Sequence, residues 1–356
     1  MKPILIVSLL LTAAVFLLPL ASVGTVSDPE GQGREGLSPE EIQFAPSFIP
    51  EPAAPTSPTM SAPAAGDDGD LMVKVLVKGT VQELTMRDYL FGVVAAEMPA
   101  SFPTEALRAQ AVAARTNTEN KMLAARGPNG PPERHMGADV CDDYHHCKAY
   151  IAPAEAYERW GAEADKYAAL VAAAVDGTDS LVVTYEGQPI VAVFFAVSAG
   201  RTESAQSVWG TDIPYLREVD SPGEDGAQGY EEQVTLPAAD VKAALLAAYP
   251  DAQLDGPPSG WFGVPERSEA GGVLSLTAGG VAVPGTKLRE MFNLRSTHFT
   301  VTPGADTVVF DTLGYGHGVG LSQYGAKLLA ESGLGFEEIL TWYYTGVTVE
   351  EYHPAL

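Results

Sequence analysis

The segment between Thr25 and Asp70 is rich in proline, and its composition limits where a folded domain can lie in this chain. Prolines recur from Pro46 to Pro63 among glutamate, serine, alanine and glycine. Such a composition buries too little apolar surface to offset the entropy lost on ordering, so residues 25–70 are predicted to be a flexible, extended tether. The folded domain is therefore expected within residues 71–356.

The segment before the tether is predicted to be a membrane anchor. Lys2 is followed by an almost uninterrupted apolar run from Ile4 to Val23, close to the roughly 20 residues that span hydrocarbon. A cleaved signal peptide is the alternative. The length of the run, without an Ala-x-Ala cleavage site, favours a single-pass anchor over residues 1–24. With either segment, the folded part is expected on the extracytoplasmic side of the cell membrane.

Size and charge narrow the classes of function. The 356 residues, 46% of them hydrophobic, suffice for one large domain or two modest ones. The formal net charge of −25 argues against nucleic acid as a partner, because phosphate backbones require a basic surface. It also disfavours a binder of lipid surfaces that depends on lysine and arginine.

Glu97 stands in an unusual setting for a carboxylate. It follows four apolar residues in "VVAAEMP", where a predicted helix ends, and a longer helix is predicted to begin at Thr104. A negative charge at a helix C-terminus is disfavoured by the macrodipole, and apolar neighbours disfavour the ionised form. Both effects raise the pKa of the carboxyl, as a proton donor requires. An ordinary solvated acid at a helix end is the alternative.

The segment "HMGADVCDDYHHC" concentrates candidate metal ligands: His135, Cys141, His145, His146 and Cys147. Two thiolates and two imidazoles suit tetrahedral zinc, although the spacing is not that of a zinc finger. A Cys141–Cys147 disulfide is the alternative in an exported protein. Because His145 and His146 are adjacent and point in different directions, only one of them is expected to be a ligand.

Two further segments place polar residues beside glycine. In "GYGHGVGLSQ" four glycines occupy alternate positions, with His317 between two of them and Ser322 and Gln323 after the last. In "SAGRT" Ser198 and Arg201 lie at the end of a predicted strand. The glycines superficially resemble a dinucleotide-binding turn, but no βαβ unit follows. A loop that admits a bulky substrate is one interpretation, and close backbone packing is the other.

Four blocks, in this order, together resemble the domain shared by stage II sporulation protein D and the amidase-enhancer proteins. They are "GVVAAEMPASFPTEALRAQAVAART", "SAGRTESAQSVWGTDIPYLREV", "LRSTHF" and "GYGHGVGLSQYGAKLLAESGLGFEEILTWYYTGV". The resemblance covers roughly residues 71–350, and the anchor, tether and His/Cys segment bring the chain nearer to the sporulation protein. It implies a single α+β domain, with mixed sheets and helices around a glycan-binding groove.

The resemblance also implies an activity, that of a peptidoglycan lytic transglycosylase acting in septal wall remodelling and engulfment during endospore formation. Glu97 takes the place of the general acid and base. One departure is Ala199 in "SAGRT", where many relatives carry a second glycine, so substrate contact by this turn is less secure. The positions that the resemblance assigns to substrate binding are Gln110, Arg115, Ser198, Arg201, His317, Ser322 and Gln323.

The same resemblance implies a zinc ion, expected to be structural, and a set of partners. These partners are a sporulation amidase that strips stem peptides and a membrane protein that gathers both at the forespore septum, so the substrate would be peptide-stripped glycan. Two rival hypotheses are a non-catalytic wall-binding scaffold that stimulates an amidase and a two-carboxylate hydrolase. The zinc ligands implied are His135, Cys141, His146 and Cys147.

Overall fold

The structure is a computed structural model that describes residue 69 and residues 71–144 and 146–353. The predicted anchor, nearly all of the predicted tether and His145 lie outside these residues. Within the described part of the chain, no helix is both long and apolar enough to cross a membrane.

The described residues alternate between short strands and helices. The helices are α1 Met86–Glu97, α2 Thr104–Ala125, α3 Pro153–Trp160, α4 Ala164–Asp176, α5 Ala205–Trp209, α6 Ala238–Ala248, α7 Gly285–Met291, α8 Gln323–Glu331 and α9 Phe336–Tyr343. The strands are β1 Met72–Val77, β2 Thr80–Thr85, β3 Val140–Cys141, β4 Leu181–Tyr185, β5 Gln188–Pro189, β6 Phe194–Phe195, β7 Glu231–Pro237, β8 Glu266–Arg267, β9 Val273–Ala278, β10 Val281–Pro284, β11 Phe299–Pro303, β12 Thr307–Leu313, β13 Leu321–Ser322 and β14 Thr348–Glu351.

The strands of the described residues form several small sheets. Their orders are β2-β1-β3, β10-β9-β8, β11-β12-β7, β13-β6 and β14-β4-β5. The β1–β3 and β6–β13 pairs are parallel, whereas the remaining pairs are antiparallel. The fold is therefore mixed α+β, as the sequence predicts, while the glycan-binding groove stays a prediction.

The first hairpin sets the direction of α1. Strands β1 and β2 pair from Met72 opposite Thr85 to Val77 opposite Thr80, and the turn between them includes Gly79 at φ 81°. The Thr85 hydroxyl then accepts a hydrogen bond from the Asp88 N–H at 3.1 Å, which satisfies one of the free amides at the helix start. Helix α1 runs from this cap to Glu97 and buries one apolar face on the way.

Helix α2 forms the centre of the packing that surrounds α1. Fifteen of its 22 residues are buried, as expected for a helix enclosed by other elements on most sides. Its alanines let neighbouring elements approach closely, and the Thr116 hydroxyl accepts a hydrogen bond from the Val183 N–H of β4 at 2.9 Å. A second core lies farther along the chain, where α6 and α7 pack against β9 and β12.

Arg115 lies on α2 and is completely buried. Its guanidinium Nη1 donates to the Thr178 carbonyl at 2.6 Å and to the Leu181 carbonyl at 3.1 Å, just after α4 and at the start of β4. These bonds satisfy carbonyl groups that water cannot reach. The interior position does not fit the predicted contact between Arg115 and substrate, because a glycan cannot reach the side chain without opening the core.

Arg115→Ala is therefore expected to lower the free energy of unfolding by about 2–5 kcal/mol, because the substitution leaves a cavity and two carbonyl groups without their donor. Denaturant unfolding measures the loss, and Arg115→Lys is the matched control, which restores the charge but not the planar fork. Wild-type stability in Arg115→Ala together with a selective loss of glycan binding would contradict this assignment.

Candidate functional site

Glu97 is the last residue of α1 and is partly buried. Its Oε1 accepts a hydrogen bond from the Ala149 backbone N–H at 2.8 Å. Burial raises the pKa of the carboxyl, while the charge of Lys148, the Ala149 N–H and the side chain of Gln323 oppose the rise without cancelling it. The carboxyl therefore keeps its proton to higher pH than an ordinary glutamate does.

The chain around Ala149 lies directly against α1. The Ile151 N–H donates to the Gly92 carbonyl at 3.3 Å, and the Tyr150 ring stacks on Tyr89 with centroids 5.7 Å apart. A Cβ atom on Gly92 would overlap both the Tyr150 ring and the Ile151 carbonyl. A glycine within this helix therefore permits the close approach that brings the Ala149 N–H to the acid.

Lys148 is a nearly buried lysine, close enough for its charge to act on Glu97, that the motifs did not reveal. Its side chain is only 9% exposed, and its Nζ lies 3.6 Å from the centroid of the Phe194 ring. Burial lowers the pKa of Lys148 to about 8, and the charge of Glu97 partly offsets that shift. The signal that could have identified Lys148 is its position directly after Cys147, a predicted metal ligand.

His317 lies close enough to Lys148 to be affected by its charge. Its Nδ1 accepts a hydrogen bond from the Val319 N–H at 3.1 Å, and the ring also bonds to the Phe194 backbone. Burial, together with the charges of Lys148 and Arg289, lowers the pKa of His317 to about 3. The low pKa favours the neutral imidazole, and its ring packs against Phe195 with centroids 5.8 Å apart.

Two exposed aromatic side chains lie close to this part of the structure. Trp209 is 45% exposed and packs against His317 with ring centroids 5.4 Å apart. Tyr315, two residues before that histidine, is 48% exposed and lies beneath the guanidinium of Arg295 at 5.3 Å. The sequence motifs indicated neither residue, although Trp209 and Tyr315 each lie within one of the four quoted blocks.

Gln110 and Gln323, two of the predicted substrate-binding residues, lie next to each other. The Gln323 Nε2 donates to the Gln110 Oε1 at 3.3 Å across α8 and α2. Both side chains are buried, and Gln323 also hydrogen-bonds toward Glu97. Among the predicted site residues, this pair thus shares its surroundings with the acid.

Ser198 and Ser322 are instead held by a buried carboxylate, Glu224, which the sequence did not identify. The Ser198 N–H and the Ser322 hydroxyl donate to Glu224 Oε2 at 2.7 and 2.6 Å, and the Ser221 hydroxyl donates to Oε1 at 2.5 Å. Burial raises the pKa of Glu224 to about 7 against the effect of these hydrogen bonds. Both serines are buried, which does not fit the predicted contact with glycan.

Arg201 remains accessible. Its Nε lies 3.9 Å from the Asp220 carboxylate in an exposed pair, and it borders a small cavity that His317 and His298 also line. Behind that cavity, buried Glu203 accepts a hydrogen bond from His298 Nε2 at 2.9 Å. The Glu203–His298 pair, which no sequence motif indicated, connects the segment directly after "SAGRT" with the "LRSTHF" block.

The four predicted zinc ligands converge. His135 Nε2 lies 3.0 Å from His146 Nδ1 and 3.4 Å from Cys147 Sγ. His146 Nδ1 lies 3.6 Å from Cys141 Sγ and 3.5 Å from Cys147 Sγ. Tetrahedral zinc with ordinary bond lengths has N···N and S···N edges of about 3.3 and 3.6 Å, so the four atoms fit the ion. Both cysteines are free thiols, and the disulfide alternative is not seen.

The fold holds this cluster next to the acid. Cys141 lies on β3, opposite Leu76 of the parallel strand β1, and the His146 carbonyl accepts a hydrogen bond from Lys121 Nζ of α2 at 3.0 Å. Cys147 directly precedes Lys148, and the Ala149 N–H that follows reaches the carboxyl of Glu97. Metal ligands and the contacts of the acid therefore belong to one short segment.

Similarity to known proteins indicates the family of the chain. The family model described as "Stage II sporulation protein" matches residues 77–185. Stage II sporulation protein D of Bacillus subtilis (strain 168) is 35% identical over 272 residues, which cover 76% of each chain.

Two further relatives extend the comparison. Stage II sporulation protein D of Bacillus amyloliquefaciens is 33% identical over 76% of each chain. An amidase enhancer of Bacillus subtilis (strain 168) is 27% identical over 74% of this chain and 40% of its own length. The two stage II sporulation protein D relatives are 35% and 33% identical to the chain over 76% of each sequence. The chain therefore belongs to the stage II sporulation protein D family.

Proposed function

We propose that the chain is an extracytoplasmic peptidoglycan lytic transglycosylase in which Glu97 serves as general acid and then as general base. Membership in the sporulation protein family supports a role in wall remodelling during spore formation. The observation that carries the catalytic proposal is the partly buried carboxyl of Glu97, whose pKa is raised although a cation lies nearby. Such a group can hold a proton and surrender it to a bound substrate.

The proposed reaction needs only one acid. Glu97 donates its proton to the glycosidic oxygen while the C1–O bond of muramic acid breaks, and the resulting carboxylate takes the proton of the C6 hydroxyl on the same sugar. The C6 oxygen bonds to C1 and closes a 1,6-anhydro ring. Because the nucleophile is already tethered to the reacting carbon, little entropy is lost in reaching the transition state.

A two-carboxylate hydrolase fits less well. Hydrolases place a second carboxyl about 5–10 Å from the first, where it attacks the sugar or activates water. The groups that act on the pKa of Glu97 are a cation, Lys148, and two neutral donors, the Ala149 N–H and Gln323. These neighbours support the proposal of one acid that acts in both steps.

Accessible groups near His317 supply candidate contacts for a glycan. Trp209 and Tyr315 present exposed ring faces, and aromatic faces suit the apolar faces of sugar rings. Arg201 keeps the substrate-binding role that the sequence predicts for it, since its side chain is accessible. Gln110 and Gln323 act on substrate through Glu97, because both are buried beside it.

We further propose that His135, Cys141, His146 and Cys147 hold one zinc ion with a structural role. Four protein ligands leave no open position for water or substrate. Burial lowers the pKa of both imidazoles, which keeps them in the neutral form that metal binding requires. When bound, the ion would cross-link the turn at His135, strand β3 and the segment that leads to Lys148.

The cellular setting is proposed from the sequence and from the relatives. Residues 1–24 would anchor the chain in the cell membrane, and the tether would let the domain reach glycan strands at the septum. The relative named "Amidase enhancer" supports an amidase as a partner, which would supply peptide-stripped glycan, and a membrane scaffold protein would gather both. It also supports the alternative function, a non-catalytic wall-binding scaffold that stimulates an amidase.

Glu97→Gln is expected to lower the rate of glycan cleavage by at least about 10²–10⁴-fold, because the amide can neither donate nor accept the proton. Mass spectrometry of products from peptide-stripped glycan measures the rate at which 1,6-anhydro ends appear. Glu331→Gln is the control, since this exposed acid on α8 pairs only with Lys327 at 2.8 Å, and its activity should stay within a few-fold of wild type.

The outcome separates the competing functions. Wild-type yields of anhydro ends from Glu97→Gln would overturn the assignment of the acid. Reducing ends in place of anhydro ends would indicate a hydrolase. No cleavage by the wild-type protein, combined with faster release of stem peptides by an added amidase, would establish the scaffold function instead.

Purified full-length protein is expected to contain about one zinc per chain, and Cys141→Ser should lower both the zinc content and the melting temperature, because structural zinc contributes directly to folding free energy. Elemental analysis and thermal unfolding measure the two effects. A chelator should lower the melting temperature of wild type but not that of the variant. Metal-free wild-type protein whose melting temperature matches that of Cys141→Ser would refute the zinc proposal.

A further inference from the structure

Glu224 is a buried carboxyl that the proposed reaction does not use. Its Oε2 accepts hydrogen bonds from the Ser198 N–H at 2.7 Å and from the Ser322 hydroxyl at 2.6 Å. Its Oε1 accepts one from the Ser221 hydroxyl at 2.5 Å, and that hydroxyl oxygen lies 2.6 Å from Tyr343 Oη of α9. Because buried polar groups whose partners are in place rigidify the elements that carry them, Glu224 joins the end of β6, the start of α8 and helix α9.

The carboxyl lies against the first turn of α8. Ser322 is the N-cap of this helix, since its hydroxyl oxygen also accepts a hydrogen bond from the Gly325 N–H at 3.3 Å. A Cβ atom on Gly325 would overlap Glu224 Oε1 and Ser221 Oγ, so a glycine here leaves room for the carboxyl. The free amides at a helix start favour a carboxyl group in this place. Glu224 therefore fixes the position at which α8 begins.

The first turn of α8 contacts the surroundings of Glu97 through two consecutive residues. The Gln323 Nε2 donates to Gln110 Oε1 on α2 at 3.3 Å, and the Gln323 side chain also hydrogen-bonds toward Glu97. The Tyr324 ring packs edge-on against the ring of Phe102 with centroids 5.1 Å apart. Phe102 lies in the turn that follows Glu97 and leads into α2. A displacement of the start of α8 is therefore transmitted to the acid.

We propose that Glu224 is a positioning residue for the acid, acting through the N-cap Ser322 and the two residues that follow it. The inference rests on the proposed function, because it concerns the proton donor of that reaction. The contribution is geometric, since a displacement of about 1 Å in a reacting group can cost a factor of about 10² in rate. Loosening the start of α8 should therefore slow proton transfer more than it weakens the binding of glycan.

Glu224→Ala is expected to lower kcat for the cleavage of peptide-stripped glycan about 10–100-fold, with KM little changed. The pKa of Glu97 in this variant, measured by carboxyl ¹³C NMR, should be about 0.5–1 pH unit higher than in wild type, because the Gln323 donor that favours the carboxylate is displaced. Glu224→Gln should restore most of both values, since its amide oxygen can accept from Ser198 and Ser322 as Oε2 does.

Tyr343→Phe is the matched control for a general loss of stability. It removes the hydroxyl that lies 2.6 Å from Ser221 Oγ and leaves the contact between Glu224 and Ser322 in place. Its melting temperature should fall, while kcat and the pKa of Glu97 should stay close to those of wild type. Where Glu224→Ala does not fold, Ser322→Ala takes its place, because it removes the hydroxyl that joins α8 to the carboxyl.

The titration of Glu97 separates this proposal from the proposed function, because it requires no cleavage. A higher pKa of Glu97 in Glu224→Ala that returns toward the wild-type value in Glu224→Gln supports the positioning role even if wild type releases no anhydro ends. An unchanged or lowered pKa of Glu97 in folded Glu224→Ala or Ser322→Ala would overturn the proposal. Equal changes in Glu224→Ala and Tyr343→Phe would also overturn it, because Glu224 would then support only the stability of the fold.

Discussion

The hydrogen bond from the Ala149 N–H to Glu97 Oε1 is the contact on which the candidate site depends. It joins the C-terminal end of α1 to the segment that carries Cys147 and Lys148. Gly92 allows that segment to lie against the helix, and the stacked rings of Tyr89 and Tyr150 support it from the side. This segment lies against the acid, and burial is what raises the pKa of Glu97, whereas the hydrogen bond itself favours the carboxylate.

Burial and charge act on Glu97 in opposite directions, and their balance suits a group that must first give and then take a proton. Burial raises its pKa and dominates, whereas Lys148, the Ala149 N–H and Gln323 favour the carboxylate. In the proposed reaction, burial favours the protonated form of Glu97 until the glycosidic bond breaks. The fixed donors would then stabilise the carboxylate without reorganisation of solvent.

Local signals predicted the elements around the acid well. The hairpin across Gly79, the cap at Thr85 and the start of α2 at Thr104 follow from alternation, capping chemistry and proline positions, which depend on near neighbours. The histidine and cysteine cluster was visible as composition, and the structure brings the four side chains together.

Burial of polar residues could not be predicted, because it depends on partners distant in sequence. Arg115 is enclosed by carbonyl groups that lie more than 60 positions away. Ser198 and Ser322 donate hydrogen bonds to Glu224, a residue that no sequence motif indicated. Lys148 looks like an ordinary surface lysine until the fold places it beside the acid.

The pKa of Glu97 in the folded protein decides most directly whether this residue can be the proton donor. Carboxyl ¹³C NMR over a pH titration, with the resonance assigned by its absence in Glu97→Gln, reports the ionisation of this side chain alone. Burial predicts a midpoint clearly above the value of about 4.3 for an unperturbed glutamate. A midpoint at or below that value would show that Glu97 is an ordinary solvated carboxylate, and would contradict its role as the proton donor.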